Sequence, residues 1–342
     1  VVIRSNVVVD YNVPCNVTVA ALTTPRVYVQ LCSRQSYTPQ NLNRLWMSTL
    51  NSPAIIAAKR ALAPQLDLHD WSSDMCWKTP VARAIGPRVP PTQSLTHPLS
   101  LDIPLLLTPN QIGFSDHWKN FPTPTELKGL IGDHKLMLSG SDNDGASVTV
   151  PCDDFIDYFL RQCGEDGDDD PLCVFDRAVL CVETTSVAEK LCTRYTPPSV
   201  NGLDFDASVF DSLAFDLRPL MRYLLIGPTR SGTHIHQDPD GTGTWNVVTH
   251  GRKRWALMSP QVAASLAYRE SPPEGYDWSI ADWFQHEWPT IKTQVETMGL
   301  PVYDFEHTVG EMVYVPPGWW HAVINIESSV AVSHNVLHKS TM

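Results

Sequence analysis

Two histidines and one aspartate in the second half of the chain have the residue types and the placement of metal ligands. His236 and Asp238 form the motif "HQD" within "SGTHIHQDPDGTGTWN", and residues two apart in a β-strand point to the same face. His321 follows a strand-like segment and a turn in "GEMVYVPPGWWHAVINI". An HxD pair alone is weak evidence, since twelve histidines give about one such pair by chance. The three residues together predict a metal site.

Iron is the metal that this set of ligands favours. Two histidines and one carboxylate on a β scaffold form the facial triad of non-haem Fe(II) oxygenases, which leaves the other coordination positions open for a cosubstrate and O2. Zinc prefers a closed tetrahedral shell or a hydrolytic site, and the sequence has no general-base motif such as HExxH. The ligands therefore predict an oxygenase and not a zinc hydrolase.

A second set of polar residues suits the binding of 2-oxoglutarate. An oxygenase that uses this cosubstrate needs a cation for the distal carboxylate and hydroxyl or amide groups that orient the molecule. Lys253, in "HGRKRWALM", lies one predicted strand beyond the HQD motif. Thr233, Asn246 and Ser333 lie on β segments near the proposed iron ligands. We expect these residues to contact 2-oxoglutarate.

Short β segments must position both sets of residues. Segments separated by turn residues follow one another along the second half of the chain: "PLCVFD", "RYLLIGP", "TWNVVTHG", "KRWALMSP", "EMVYVPP", "WHAVINI" and "SVAVSHNVL". Such spacing, without long helices between the segments, predicts an antiparallel sandwich or barrel.

The first half of the chain predicts a mixed structure. Residues 1–35 alternate apolar and polar residues, which indicates short strands or an irregular arm, and residues 38–63 predict two helices that break at Pro53. A proline-rich stretch leads into a short buried strand at "IPLLL", residues 103–107. Residues 139–170 predict a turn, a strand, a helix that begins near Asp153 and Asp154, and the acidic loop "EDGDDD". That loop lacks the spacing of an EF-hand, so a solvated loop is expected and not a calcium site.

The bulk composition limits the class of protein. The 342 residues are 43% apolar, and 25 Lys and Arg against 37 Asp and Glu give a formal net charge of -12. This acidity argues against the broad phosphate-binding surface of a nucleic-acid module and leaves only a local basic groove open. No apolar run reaches the length of a membrane helix. Eight cysteines without a CxxC pair, together with the lack of a secretory leader pattern, predict reduced thiols in an intracellular protein.

The two motif regions together resemble a known family. "GPTRSGTHIHQDPDGTGTWNVVTHGRKRWALMSP" followed by "GEMVYVPPGWWHAVINIESSVAVSHNV" resembles the JmjC family, specifically its arginine demethylase and lysyl-hydroxylase subgroup. The resemblance covers roughly residues 57–338. It implies a mainly β (α+β) fold, a double-stranded β-helix of the cupin-like jelly-roll type with flanking helices. We expect an unassigned arm and helix over 1–56, a helical and linker region over 57–140, and the JmjC domain over 141–342.

The resemblance also implies roles for individual residues. His236, Asp238 and His321 would bind Fe(II), and the residues expected to contact 2-oxoglutarate are Thr233, Asn246, Lys253, Ser333 and Asn335. Two positions depart from the subgroup: Cys173 stands where it carries a tyrosine that contacts the cosubstrate, and Ser333 replaces a threonine. O2 would be the oxidant and ascorbate an activator.

Substrate contacts and partners are expected from the same comparison. Tyr223 and Trp320 are the proposed substrate-facing residues, with core packing as the alternative for Trp320. His234 is expected to support the fold or a ligand and not to bind metal. Members of the subgroup continue past the last barrel strand into dimerisation helices and a basic tail, so the oligomeric state of this chain stays open. The resemblance also implies a nuclear location.

The resemblance implies that the reaction is the oxidation of a protein side chain: lysine C-5 hydroxylation first, and arginine N-demethylation as a further activity. The acidic charge favours a protein or peptide substrate rich in Lys and Arg. Two alternatives stay open. One is a catalytically silent cupin scaffold that binds peptide, suggested by Cys173. The other is a JmjC hydroxylase that acts on asparagine, histidine or RNA, because the iron site carries no information on the substrate.

Overall fold

A computed structural model of the chain describes residues 52–62, 99–118, 120–139, 148–162, 168, 170–181, 186–214, 217–267 and 279–341. All of them lie within one compact unit, residues 39–342. The predictions for residues 1–35 and for the helix before Pro53 fall outside the described residues. Within the described part of the chain, no helix has both the length and the apolar character that crossing a membrane requires.

Helices and short strands make up the first half of the described chain. In order they are α1 (Pro53–Leu62), β1 (Leu105–Leu107), α2 (Phe114–His117), α3 (Pro124–Ile131), β2 (Lys135–Met137), β3 (Thr149–Pro151), α4 (Cys152–Arg161), β4 (Val174–Asp176) and α5 (Ser186–Cys192). Local sequence explains several of these boundaries. Thr123 and Glu126 form a capping box at the start of α3, and Asp153 and Asp154 occupy the first turn of α4 as predicted.

Longer strands follow. They are β5 (Ser199–Val200), β6 (Leu203–Asp204), β7 (Arg222–Gly227), β8 (Gly232–His236), β9 (Gly243–Met258), β10 (Val302–Thr308), β11 (Met312–Val315) and β12 (Trp320–Val336), and between β9 and β10 lie α6 (Ala264–Ala267), α7 (Ile280–Asp282), a π-helical turn (Trp283–Glu287) and α8 (Trp288–Thr297). The main sheet is eight-stranded, in the order β1-β11-β9-β12-β7-β4, with β10 paired to β9 and β8 paired to β12. All of these pairs are antiparallel, and the predicted jelly-roll fold is confirmed.

Two pairs of predicted segments are single strands. "TWNVVTHG" and "KRWALMSP" belong to β9, while "WHAVINI" and "SVAVSHNVL" belong to β12. The two strands pair from Trp320 opposite Met258 to Val336 opposite Gly243, with register shifts between Asn325 and Ala331. Such shifts bend a strand without ending it. Each long strand therefore contributes to both walls of the barrel. Dividing the sequence at its turn residues does not predict this.

The expectation that no long helix interrupts the strands is wrong. The helical segment from Ile280 to Thr297 lies between β9 and β10. Its buried residues Trp288 and Ile291 pack against Ala256 and Met258 of β9. Aromatic residues and Pro289 give this segment a weak helical signal, because Pro is compatible with a helix only in its first turn, and here Pro289 lies in the first turn of α8.

Three hydrophobic clusters pack against the main sheet, two on its outer surface and one in the barrel interior. One outer cluster joins the sheet to α1, α3 and α4, a second joins it to the helices after β9, and the interior cluster consists of Leu106, Trp255, Leu257, Phe305, Val313, Val315 and Trp319. β1 pairs with β11 in the main sheet. Residues 105–107 thus belong with the barrel and not with a separate linker, and α1 crosses the expected boundary between residues 56 and 57.

Part of the acidic loop is buried, in contrast to the solvated loop that its charge predicts. Asp168 is 5% exposed, and its Oδ2 lies 2.7 Å from Nζ of the equally buried Lys59. The hydroxyl of Tyr158 donates to the same oxygen at 2.8 Å. Asp168 therefore ties α1 and α4 to the segment that leads into β4.

Replacing Asp168 by asparagine is expected to lower the free energy of unfolding by about 3–5 kcal/mol, because it removes a carboxylate that pairs with the buried Lys59 ammonium. Urea unfolding followed by circular dichroism measures this change. The matched control is Asp157→Asn, which removes the exposed partner of Lys128 and should cost less than about 1 kcal/mol. Equal effects of the two substitutions would contradict a structural role of the buried pair.

Candidate metal centre

The three predicted metal ligands come together at the end of two paired strands. His236 is the last residue of β8 and lies opposite His321, the second residue of β12. Asp238 follows β8 and precedes a short turn that begins at Pro239. One ligand atom from each of the three residues lies within 4.8 Å of the others, and they form the one cluster of this kind found among the described residues.

The hydrogen bonds at Nδ1 of both histidines suit metal binding through Nε2. Nδ1 of His236 lies 2.8 Å from the carbonyl oxygen of His234, and Nδ1 of His321 lies 3.1 Å from that of Trp319. A proton held on Nδ1 by a carbonyl leaves the lone pair on Nε2. Burial, with a further contribution from the nearby His321, lowers the pKa of His236 to about 3. This imidazole is therefore neutral at physiological pH, as a metal ligand must be.

Asp238 completes the site. Its Oδ1 accepts a hydrogen bond from Asn335 Nδ2 at 2.9 Å. Its Oδ2 is buried, has no hydrogen-bond partner among the described residues, and lies 3.8 Å from Nε2 of His321. A buried carboxylate oxygen without a donor is costly, and burial raises the pKa of Asp238. A divalent cation at this point would satisfy the oxygen, so the residues fit a metal, and two imidazoles with one carboxylate suit Fe(II).

Asn335 holds a metal ligand in place. Its Nδ2 donates to Asp238 Oδ1 and, at 3.2 Å, to Thr242 Oγ1, and its contact with 2-oxoglutarate stays a prediction. β12 runs from His321 to Asn335, so both ends of one bent strand reach Asp238. Partners of this kind fix the orientation of a ligand.

Replacing Asn335 by alanine should weaken metal binding roughly 10- to 100-fold, because Asp238 loses the donor that orients its carboxylate. Competition with a fluorescent chelator measures this affinity for Fe(II) under exclusion of O2. Asn246→Ala is the control, since Asn246 is equally buried in the barrel but makes no hydrogen bond to a ligand. The idea fails if both variants bind the metal as the original chain does.

A β-bulge explains how Thr233 and His236 share one face. His321 lies opposite His236 and Val323 opposite Thr233, so three steps along β8 match two along β12. The extra residue reverses the usual alternation, which places Thr233 on the side of the metal ligands. His234 is exposed and contributes its backbone carbonyl to the site, in agreement with a supporting role.

Asn246 and Ser333 lie opposite each other on β9 and β12. Oδ1 of Asn246 is buried and has no hydrogen-bond partner among the described residues, which leaves a polar group for a bound molecule. Ser333 Oγ donates to the carbonyl oxygen of Trp245 at 2.8 Å and lies 3.0 Å from Thr244 Oγ1. The proton of Ser333 is thus engaged by the fold, and this hydroxyl can offer a ligand only an acceptor.

Lys253 supplies the predicted cation. It is 5% exposed and lies between His307 of β10 and Asn325 of β12. Its Nζ donates to Asn325 Oδ1 at 2.7 Å, and burial lowers its pKa to about 8. Sequence reasoning missed Asn325. The alternation of side chains along a strand could have identified it, because Asn325 follows His321 by four positions and therefore shares its face of the strand.

Cys173 lies with Asn325 and Ser231 around the backbone of Gly227. A Cβ added to Gly227 would come within 2.9 Å of Cys173 Sγ, 2.3 Å of Asn325 Nδ2 and 2.4 Å of Ser231 Oγ. Gly227 is therefore required for the close approach of these groups. Burial raises the pKa of the Cys173 thiol, so a neutral thiol occupies the position where the resemblance implies a tyrosine.

The two residues expected to face the substrate lie on different sides of the barrel wall. Tyr223 lies opposite Ser333, and its ring centroid is 4.8 Å from that of Phe175, so its role toward substrate stays a prediction. Trp320 is 6% exposed and packs in the second outer cluster, with Nε1 donating to the carbonyl of Val262 at 3.1 Å. Because neighbours in a strand alternate faces, Trp320 points away from the side of His321 and supports the core.

Comparison with known proteins agrees with this geometry. Residues 223–336 match the family model described as "JmjC domain, hydroxylase". The chain is 32% identical over 241 residues to the "Bifunctional arginine demethylase and lysyl-hydroxylase psr-1" of Caenorhabditis elegans, which covers 68% of this chain and 55% of that protein. It is 32% identical over 247 residues to the "Lysine-specific demethylase JMJ21" of Arabidopsis thaliana, 69% of this chain and 23% of that protein.

A further relative matches over a shorter stretch. The human "2-oxoglutarate and iron-dependent oxygenase JMJD4" is 29% identical over 116 residues, 33% of this chain and 26% of its own length. The chain thus spans about half the length of the first of these relatives and less of the others.

Proposed function

Because this chain carries a JmjC domain and belongs to the JmjC family, we propose that it is an Fe(II)- and 2-oxoglutarate-dependent dioxygenase that hydroxylates a protein side chain. The observation that carries the proposal is the buried Oδ2 of Asp238, which lacks a hydrogen-bond partner in the described chain and lies 3.8 Å from the ring of His321. A cation bound by three protein ligands would satisfy this oxygen and keep positions open for reactants.

The chain's own residues bind and orient the reactants. His236, Asp238 and His321 would hold the metal, and Asn335 donates a hydrogen bond to the carboxylate of Asp238. Bound Fe(II) supplies the redox chemistry by which O2 and 2-oxoglutarate give succinate, CO2 and a hydroxylated product. Lys253 attracts the distal carboxylate of 2-oxoglutarate. The interior cluster below the site keeps bulk water out, so that the charges act in a medium of low dielectric constant.

The substrate that we propose is a protein rich in Lys and Arg. Support comes from the relative named for arginine demethylation and lysyl hydroxylation and from the net charge of -12, which favours encounter with basic segments. Lysine C-5 hydroxylation is the first reaction to test and arginine N-demethylation the second. In both reactions a C–H bond of a cationic side chain is oxidised.

The test is the release of succinate from 2-oxoglutarate in the presence of Fe(II) and ascorbate, followed by mass spectrometry of an array of lysine- and methylarginine-containing peptides. We expect succinate above a protein-free control, and peptides that gain one oxygen atom or lose one methyl group. No release of succinate would favour a silent peptide-binding scaffold. Oxygen found only on residues other than lysine and methylarginine would overturn the proposed substrate but not the proposed chemistry.

A further inference from the structure

The barrel interior, on the face of β12 that carries His321, contains a buried cation with an unusual partner. Among the described residues, the Lys and Arg side chains buried to 5% exposure or less are those of Lys59, Lys253 and Arg254. Lys59 and Arg254 each pair with an aspartate, at 2.7 and 2.8 Å. Lys253 has no carboxylate within ion-pair distance in this part of the chain, and its Nζ donates instead to the side-chain amide of Asn325 at 2.7 Å.

Asn325 is itself held rigidly. It is fully buried, and its Oδ1 also accepts a hydrogen bond from Ser329 Oγ at 2.6 Å. Its Nδ2 donates to Ser231 Oγ at 2.9 Å, and its backbone N–H donates to the carbonyl of Ser231 at 2.8 Å. With Nδ2 directed at Ser231, Oδ1 is the amide atom that faces Lys253. The amide thus presents an acceptor to the ammonium group from a fixed direction.

The neutrality of this partner has an electrostatic consequence. A lysine ammonium on its flexible stem needs an acceptor to keep one position, and either an amide or a carboxylate can provide one. A carboxylate would also cancel the charge. A buried charge without a counter-ion lowers stability, and such charges concentrate at functional sites. At Lys253 the amide fixes the position and leaves the positive charge for a ligand.

We propose that Asn325 positions Lys253 while leaving its charge uncompensated, so that the pocket selects a 2-oxo acid with a second carboxylate. The inference rests on the proposed function, because it concerns how that cosubstrate is recognised. Asn325 acts through Lys253 and is a positioning residue. The ammonium that it holds would form a charge-assisted hydrogen bond with the distal carboxylate.

Two substitutions of Asn325 distinguish the effect of an added charge from the effect of lost packing. Asn325→Asp keeps the size and the acceptor but adds a negative charge beside Lys253, whereas Asn325→Ala removes the acceptor without adding charge. Both lose the donation to Ser231, so their difference reports the charge. The measurement is calorimetric binding to the Fe(II)-loaded protein, without O2, of 2-oxoglutarate and of 2-oxopentanoate, which has the same carbon chain without the distal carboxylate. Thermal unfolding verifies that each variant is folded.

The original chain should bind 2-oxoglutarate at least about tenfold more tightly than 2-oxopentanoate. In Asn325→Asp this ratio should fall to roughly two or less, since the aspartate neutralises Lys253. Asn325→Ala leaves the charge of Lys253 but no longer fixes its position, so it should weaken the binding of 2-oxoglutarate more than that of 2-oxopentanoate and lower the ratio less than Asn325→Asp does. Asn110→Asp, at an exposed turn, is the matched control and should behave as the original chain.

The outcomes distinguish the inference from the proposed function. A ratio that stays high in Asn325→Asp overturns the role of Asn325 and leaves the proposed function intact. Equal losses for both acids in both variants indicate a merely structural residue and overturn the inference as well. No preference for 2-oxoglutarate in the original chain overturns the cosubstrate and the inference together. If Asn325→Asp does not fold, Asn325→Ala decides, because the inference requires a larger loss of affinity for 2-oxoglutarate than for 2-oxopentanoate.

Discussion

Replacing His236 by alanine will lower succinate release by at least about a thousand-fold, because it removes one of three metal ligands and the remaining pair cannot hold the metal in a reactive geometry. Burial lowers the pKa of this residue to about 3, its Nδ1 lies 2.8 Å from the carbonyl oxygen of His234, and its ring lies 4.1 Å from that of His321, centroid to centroid. Succinate is measured by coupled assay, and bound iron by elemental analysis of the same samples.

The matched control is His234→Ala. This neighbouring histidine is exposed, and the substitution preserves the backbone carbonyl that holds His236. We expect near-normal iron content and succinate release for it. Turnover that persists in His236→Ala, or that falls equally in both variants, would remove the proposed metal centre.

Replacing Lys253 by methionine will weaken the binding of 2-oxoglutarate roughly 10- to 100-fold, the value of one lost charge-assisted hydrogen bond. The variant should be at least as stable as the original chain, because methionine fills the same space without a buried charge. Lys128→Met removes an exposed lysine and serves as the control. Unchanged binding in Lys253→Met would show that the distal carboxylate lies elsewhere.

The pH dependence of binding provides an independent readout. Burial lowers the pKa of Lys253 to about 8, so in the free protein the ammonium is charged below this pH and loses its proton above it. Affinity for 2-oxoglutarate should be full below pH 8 and should decrease up to about tenfold per pH unit above it. Lys253→Met has no such group, and its weaker binding should lack this decline.

Much of the chemistry is visible in local sequence. The sequence predicts the metal ligands His236, Asp238 and His321 and the cation Lys253, because these depend on residue type and on the alternation of side chains along a strand. The β segments around these residues predict the barrel. The structure brings the three metal ligands within 4.8 Å of one another and buries Lys253 in the barrel.

Other features depend on contacts between distant parts of the chain. The bulge that aligns Thr233 with His236 is a property of the pairing between β8 and β12, and it cannot be read from either strand alone. The burial of Asp168 depends on Lys59, more than a hundred positions earlier in the chain. Charge by itself predicts a solvated loop there, and only the packed partner reverses that expectation.

The sequence by itself therefore determined which groups are present: the iron ligands, the cation for a carboxylate, and strands of alternating polarity to carry them. The tertiary structure alone decided what each group touches. It gave Asn335 a hydrogen bond to Asp238, placed Trp320 in the core, and gave Lys253 a neutral amide as its partner. The reason is physical: residue type sets which bonds a side chain can form, but burial and long-range strand register set which bonds it does form.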